Sequence, residues 1–175
     1  MMRIFSWQGQ NDNKLDRLAF ELKVEIKKEF KNISKHKRIL SSVIYSSLDL
    51  YINGDKLDPD EVFDVDVFFT SLVSQGTFPM FTCTCGIFGC GGYYVEVKNL
   101  DEKVIWRTQQ SPFMDRTIKC SNTFVFSRSH ITDFAEELIQ KFEELKSLML
   151  EHGLVCGYDI EKYKIIIKNL KRREL

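Results

Sequence analysis

Three of the five cysteines of this chain fall within one glycine-rich segment, residues 82–92. The segment reads TCTCGIFGCGG and contains Cys83, Cys85 and Cys90. Glycines allow positive φ angles and a close approach of the backbone, so such a segment can fold tightly enough to direct three sulfurs to one point. Cysteine thiolates are common ligands of structural zinc. The segment therefore predicts a zinc site with thiolate ligands.

The number of ligands leaves the zinc hypothesis one residue short. A structural zinc site takes four ligands, and its first pair usually has the spacing C-x2-C, whereas this segment has C-x-C. The missing ligand must come from elsewhere in the chain, and Cys120 is the nearest cysteine. The predicted ligand set is Cys83, Cys85, Cys90 and Cys120. The other candidates for the fourth place are Cys156, His36, His130 and His152.

Two other interpretations of the cysteine segment stay open. Cysteine behaves as a small apolar residue and is often buried, so the three side chains could pack in a tight turn and the core beneath it. A thiol enzyme would instead use one of the three as a nucleophile of lowered pKa. Zinc binding predicts thiols protected by a metal, and a thiol enzyme predicts one cysteine that reacts at unusually low pH.

The cysteine count and the first residues of the sequence bear on the cell compartment. Five cysteines are an odd number, and MMRIFSWQGQ lacks the apolar run of a signal peptide. A disulfide framework is therefore not expected, and we predict a cytoplasmic protein with reduced or metal-bound thiols. No stretch approaches the roughly 18 apolar residues of a membrane span, so no membrane association is expected.

The cysteine segment resembles a motif of known proteins. The pattern TCxCGxxGCGG, followed by a hairpin that ends in Trp106, is similar to one that recurs in uncharacterised small bacterial proteins. Some of these are immunity proteins of polymorphic toxin systems. The resemblance covers residues 78–107 and implies a toxin as the protein partner. It implies no ligand role for any cysteine.

An acidic stretch lies before the cysteine segment. Residues 55–66 contain six acidic residues and one lysine, although the whole chain is neutral, with 25 basic and 25 acidic residues. We predict Asp58, Asp60, Glu61 and Asp64 as a surface that binds a basic protein partner. The alternative is the solvated start of a helix, where the dipole favours acidic residues. The order of residues does not match a calcium-binding EF-hand loop.

Other functional classes lack a signal in this sequence. Basic residues concentrate in 23–38 and 161–175, but the balanced charge and the lack of a known motif argue against nucleic-acid binding. We find no phosphate-binding loop, nucleotide fingerprint or nucleophile elbow. The sequence thus favours a non-enzymatic protein-binding module, with an immunity-type toxin inhibitor as its most concrete form. A zinc-stabilised module is the alternative, followed by a thiol enzyme.

Apolar periodicity predicts the elements that must position these residues. Apolar side chains alternate with charged ones from Leu18 to Ile26, which favours a strand, although spacings of three and four leave a helix open. Residues 31–38 are interpreted as a basic connector, and Asn53-Gly54 as a hairpin turn. We further predict strands at 3–7, 43–52, 93–98, 104–107 and 123–127, and helices at 60–73, 133–152 and 158–170.

The order of these elements predicts the fold class. We expect one α+β domain spanning residues 1–175, in which an antiparallel sheet is packed by helices, including a long one in the C-terminal half. The predicted caps are Asp58 or a neighbour and Gly76 for the first helix, and Thr132 and Gly153 for the long helix. With 43% hydrophobic and 13% aromatic residues, the chain has enough apolar material for a core.

Overall fold

The computed structural model describes residues 15–57, 61–85, 92–113 and 122–173. These residues form an α+β fold, as predicted from the sequence. The strands are β1 (Leu18–Ser34), β2 (Lys37–Ile52), β3 (Asp55–Lys56), β4 (Glu61–Phe63), β5 (Gly76–Cys83), β6 (Gly92–Asn99), β7 (Lys103–Thr108) and β8 (Thr123–Ser127). The helices are α1 (Val65–Val73), α2 (Arg128–Glu151) and α3 (Ile160–Arg173).

The strands divide into two antiparallel sheets, where the sequence suggested one. The larger sheet has the order β4-β5-β6-β7-β8, and the smaller one has the order β1-β2-β3. Each strand within the described residues is antiparallel to its neighbours in the sheet, as expected when hairpins connect strands in sequence. The strand predicted at residues 3–7 lies outside the described residues.

The hairpin of β6 and β7 shows how alternation produces the larger sheet. Tyr93, Val95 and Val97 are buried at every second position, and the residues between them are half-buried. Val104 and Trp106 are likewise buried at alternate positions of β7. The predicted hairpin is confirmed, with Val97 directly opposite Trp106. The predicted strand at 123–127 is confirmed as β8.

The long helix is confirmed, but it starts earlier than predicted. The predicted cap, Thr132, lies within α2 and donates a hydrogen bond from its hydroxyl to the carbonyl of Arg128 at 3.0 Å. Ser127 is the actual N-cap, because its hydroxyl accepts the His130 N–H at 3.2 Å. The predicted end is confirmed, since His152 caps the helix and Gly153 follows with φ +69°.

Aromatic side chains join the helices to the larger sheet. Phe68 of α1 is fully buried, and its ring lies 5.4 Å from Phe63, 6.2 Å from Trp106 and 5.5 Å from Phe134 between centroids. These neighbours belong to β4, β7 and α2. Phe68 therefore lies where three elements that are distant in sequence meet.

The base of the β1–β2 hairpin is attached to this core. Phe20 packs edge-on against Phe134 of α2 at 5.3 Å between centroids. Leu18 is buried, and both its N–H and its carbonyl lie 2.9 Å from Nε2 of His130. Asp16 extends the attachment to β8, because its N–H donates to the Val125 carbonyl at 2.8 Å and its carboxylate accepts the Val125 N–H at 2.7 Å.

Among the residues that the structure describes, no helix is both long and apolar enough to cross a bilayer.

Candidate functional site

The cysteine segment follows β5 and leads into β6. Cys83 ends β5 opposite Glu61, and Thr82 lies opposite Gly92 at the start of β6. Cys83 and Cys85 are joined by a disulfide. At these two residues the structure corrects the prediction of reduced or metal-bound thiols. The odd number of cysteines and the lack of a signal peptide argued against a disulfide framework, but a bridge across one residue needs only a local turn, and its Cα atoms lie 5.4 Å apart.

The predicted zinc ligands are only partly described. Cys90 and Cys120 lie outside the described residues, and the sulfurs of Cys83 and Cys85 bond to each other. Among the residues in the described ranges, no three His, Cys, Asp or Glu side chains are grouped as metal ligands. Cys156, the other cysteine in those ranges, is free and half-buried between α2 and α3. The zinc hypothesis has no support in this part of the chain.

The predicted acidic surface is also divided. Asp58 and Asp60 lie outside the described residues, so their role as partner contacts stays a prediction. Glu61 was expected in the first turn of a helix, and this was wrong, because residues 61–63 pair with 81–83 as β4. The predicted apolar stripe of residues 65–73 is confirmed as α1, but Ser74 caps its end, and Gly76 begins β5.

Asp64 has a structural role in this arrangement. It is the N-cap of α1, and its carboxylate accepts the Val67 N–H at 3.0 Å. Half-buried between β4 and α1, it also donates its own N–H to the Met80 carbonyl at 2.8 Å. The N-cap of α1 is therefore Asp64, and not Asp58 or a residue next to Asp58 as predicted.

Replacement of Asp64 tests its role as the N-cap of α1. Asp64→Ala should lower the free energy of unfolding by about 1 kcal/mol, because the Val67 N–H loses its acceptor. Asp64→Ser retains an oxygen that can accept this bond, so its stability should stay near that of the wild type. Urea denaturation of the two variants measures the difference. Equal stability of Asp64→Ala and wild type would contradict the capping role.

The strongest candidate for a functional surface is the distal part of the β1–β2 hairpin. We call residues 24–46 the arm, since Val24 lies opposite Ser46 in the hairpin register. The sequence predicted a basic connector at 31–38, but these residues form the end of β1, a turn and the start of β2. The alternation that marks Leu18 to Ile26 is interrupted at Lys28 and resumes at Phe30, which was the available signal for a longer strand.

One face of the arm is apolar and exposed. Even-numbered residues of β1 share a face, and those near the base, such as Phe20, pack against the core. Beyond the base this face leaves the core, and its apolar side chains reach solvent. Their exposed fractions are 40% for Val24, 47% for Ile26, 72% for Phe30 and 55% for Leu40. Phe30 and Leu40 are direct cross-strand neighbours and form an exposed apolar pair, and Lys28 and Ser42 lie between this pair and Ile26 on the same face.

A cleft separates the apolar face from α2 near the base of the arm. It has a volume of about 420 Å³, and Leu22 and Val24 line one wall while Leu145 and Leu148 of α2 line the other. Glu137, Lys141 and Glu144 lie at its helical side. The hairpin and α2 thus diverge and leave apolar side chains on both walls of an open space.

The opposite face of the hairpin is charged. From Glu21 to Lys31, every second residue of β1 carries a charge, and the sign alternates: Glu21, Lys23, Glu25, Lys27, Glu29 and Lys31. Near the base, Asp49 of β2 accepts from Lys23 at 2.7 Å and from Lys56 at 2.8 Å. Burial alone would raise the pKa of Asp49, but these two ammonium groups outweigh it and hold the pKa below its ordinary value.

The geometry of the arm suits binding rather than catalysis. The described part of the arm combines exposed apolar side chains, alternating charges and the edge of a long strand, which are features of a docking surface. Comparisons of the chain with protein-family models, curated proteins and solved structures found no significant match.

Proposed function

We propose that this protein is a non-enzymatic protein-binding module that docks through the arm. The observation that carries the proposal is the exposure of Ile26, Phe30 and Leu40 on one face of the arm. Soluble domains rarely leave a row of large apolar side chains uncovered unless a partner covers it. Burial of such surface contributes about 25 cal/mol per Å², which makes these three residues the expected centre of an interface.

An immunity-type inhibitor of a toxin is the concrete form of this proposal. Its support is the resemblance of the cysteine segment to a motif of small bacterial proteins, and a toxin domain is therefore the first heterologous partner to test. The alternating charges of β1 lie on the opposite face, and a partner that pairs along the edge of β1 would contact them as well, which would give the interface orientation and specificity. The acidic surface predicted around Asp58 and Asp60 would be a second contact region for a basic partner.

Site-specific photocrosslinking tests the arm as a docking surface. A photoreactive amino acid at Leu40 should give a discrete adduct when the protein is expressed in its own host. The same group at Val155, which is 86% exposed between α2 and α3, should give none. Mass spectrometry of the adduct identifies the bound polypeptide, and a self-adduct would have twice the 20.6 kDa mass of the chain.

Calorimetry with the identified partner then measures the contribution of the apolar face. Phe30→Ala should raise the dissociation constant about tenfold or more, as expected for a buried aromatic contact. Val155→Ala is the matched control, because it also truncates an exposed apolar residue, and it should leave the dissociation constant unchanged. Equal adducts at Leu40 and Val155, or an unchanged constant for Phe30→Ala, would overturn the proposed function.

A further inference from the structure

The outer edge of β1 is open to pairing with another strand. β1 is the edge strand of its sheet and pairs with β2 along its length. At Leu18 the N–H and the carbonyl that face away from β2 meet His130. Beyond Leu18, no strand within the described residues pairs with this edge. A long open edge is a template for pairing with another strand.

The alternation of backbone directions determines which residues can pair there. In an antiparallel pair, successive residues direct their N–H and carbonyl groups alternately toward and away from the neighbouring strand. Because Leu18 directs both groups away from β2, Ile26 and the other even-numbered residues of β1 do so as well. These are also the residues of the apolar face.

The charges of β1 complement a second copy of the same strand. If two β1 strands pair antiparallel with Ile26 opposite Ile26, the residue numbers of each opposing pair sum to 52. This places Glu25 opposite Lys27, Lys23 opposite Glu29, and Glu21 opposite Lys31, and each pair occurs twice. All six pairs join opposite charges, which stabilise neighbouring strands when they lie directly across from each other.

Other alignments lose this complementarity. Centring the pair on Glu25 would place Glu25 opposite Glu25 and Lys23 opposite Lys27, and a parallel in-register pair would place identical charges side by side. A pair centred on Lys28 would bring two lysines together on the apolar face. Centring on Val24 retains opposite charges but forms fewer such pairs. Ile26 is also the midpoint of β1, so this register pairs Phe20 with Asn32 and uses the open edge beyond Leu18.

The same register covers the exposed phenylalanine. It places Phe30 of one copy beside Leu22 of the other, on the face that is directed toward α2. Leu22 lines the cleft with Leu145 and Leu148. The aromatic ring would therefore enter the apolar cleft of the other copy, which accounts for both the exposed ring and the open space.

We infer that two copies of the chain associate through antiparallel pairing of β1 with β1, centred on Ile26, to form one continuous sheet. This inference rests on the proposed function of the arm as a docking surface and names a second copy of the chain as the occupant. Sedimentation equilibrium of the purified full chain should give a mass of 2 × 20.6 = 41.2 kDa.

Charge reversal on β1 tests the orientation and the register. Glu25→Lys places two lysines opposite each other at two positions, and Lys27→Glu does the same with two glutamates. Each variant alone should raise the dimer dissociation constant about tenfold or more. A mixture of the two variants restores opposite charges at both positions and should form a heterodimer of wild-type affinity. Lys37→Glu is the control for Lys27→Glu, because it makes the same change in charge at the tip of β2. It should leave the dimer intact.

A cysteine at the centre of the pair tests the register independently. Residue 26 of one copy would lie about 5.5 Å from residue 26 of the other between Cα atoms, which is within disulfide range. Ile26→Cys should therefore form a covalent dimer under mild oxidation. Val24→Cys lies opposite Lys28 in this register and should form far less, with the wild-type chain as the control for its native cysteines.

The outcomes separate this inference from the proposed function. A monomer whose arm crosslinks to a different polypeptide would overturn the inference and retain the docking function. A dimer that is insensitive to both charge reversals and forms no bridge at residue 26 would use another surface and would also overturn the inference. A monomer with no adduct from the arm would overturn both. Rescue in the mixture of variants, together with the bridge at residue 26, would support both.

Discussion

Phe68→Ala is expected to lower the free energy of unfolding by about 3 to 5 kcal/mol. The side chain is fully buried, and its ring lies within 6.2 Å of Phe63, Trp106 and Phe134 between centroids. Removing it leaves a cavity between β4, β7 and α2, and the aromatic neighbours can fill this space only in part. Since a domain of this size is stable by about 5 to 15 kcal/mol, the loss is a large fraction of the total.

Chemical denaturation followed by tryptophan fluorescence measures this loss. Phe30→Ala is the matched control, because it makes the same substitution at a side chain that is 72% exposed. Its free energy of unfolding should stay within about 0.5 kcal/mol of the wild-type value in the monomer. A loss of less than about 1 kcal/mol for Phe68→Ala would contradict its place at the junction of the three elements.

Gly92→Ala is expected to destabilise the fold by about 2 to 5 kcal/mol, because two costs add at this position. Gly92 has φ +85°, where a side chain strains the backbone. A Cβ atom would also lie 2.2 Å from the carbonyl oxygen of Phe81 and 2.8 Å from the Cα of Thr82. These atoms belong to the backbone of β5, so relief requires a shift of the paired strand that leads into the cysteine segment.

Gly54→Ala distinguishes the two costs. Gly54 has a similar φ of +91°, but a Cβ atom there would meet nothing within 4 Å. It should therefore cost only the backbone strain, about 1 to 2 kcal/mol. Thermal unfolding of both variants gives the comparison. Equal losses for Gly92→Ala and Gly54→Ala would mean that β5 does not approach β6 as closely as the structure places it.

The cysteine segment shows how far local spacing can be interpreted. The pattern of Cys83, Cys85 and Cys90 predicted a zinc site and no disulfide was expected, whereas the structure joins Cys83 to Cys85. Residue types alone did not distinguish a bridge from a pair of thiolates, because both need two sulfurs close together. The turn after β5 holds the two Cα atoms 5.4 Å apart, which is within the range of a disulfide.

The acidic stretch shows a similar division. Asp64 belongs to a cluster of like charges in the sequence, which suggested a surface for a basic partner. The structure uses it to cap α1, because Glu61–Phe63 pairs with β5 and delays the start of the helix to Val65. A three-residue strand has too little periodicity to be recognised without its neighbour.

The sequence by itself determined the α+β class and the elements that bury one face. β6, β7, β8 and α2 were all predicted, because burial of one face imposes a period of two on strands and a period near 3.6 on helices. Such a pattern is encoded in each segment separately and needs no information about its neighbours.

Only the tertiary structure decided the length of the β1–β2 hairpin and therefore the arm. Beyond Val24 the strand is exposed, so burial no longer separates its two faces, and residues 31–38 resembled a connector. Their strand conformation comes from pairing with the opposite strand, which places Lys31 opposite Ile39 and Asn32 opposite Arg38. The proposed binding surface lies in this region because side chains that the core does not cover are the ones available to a partner.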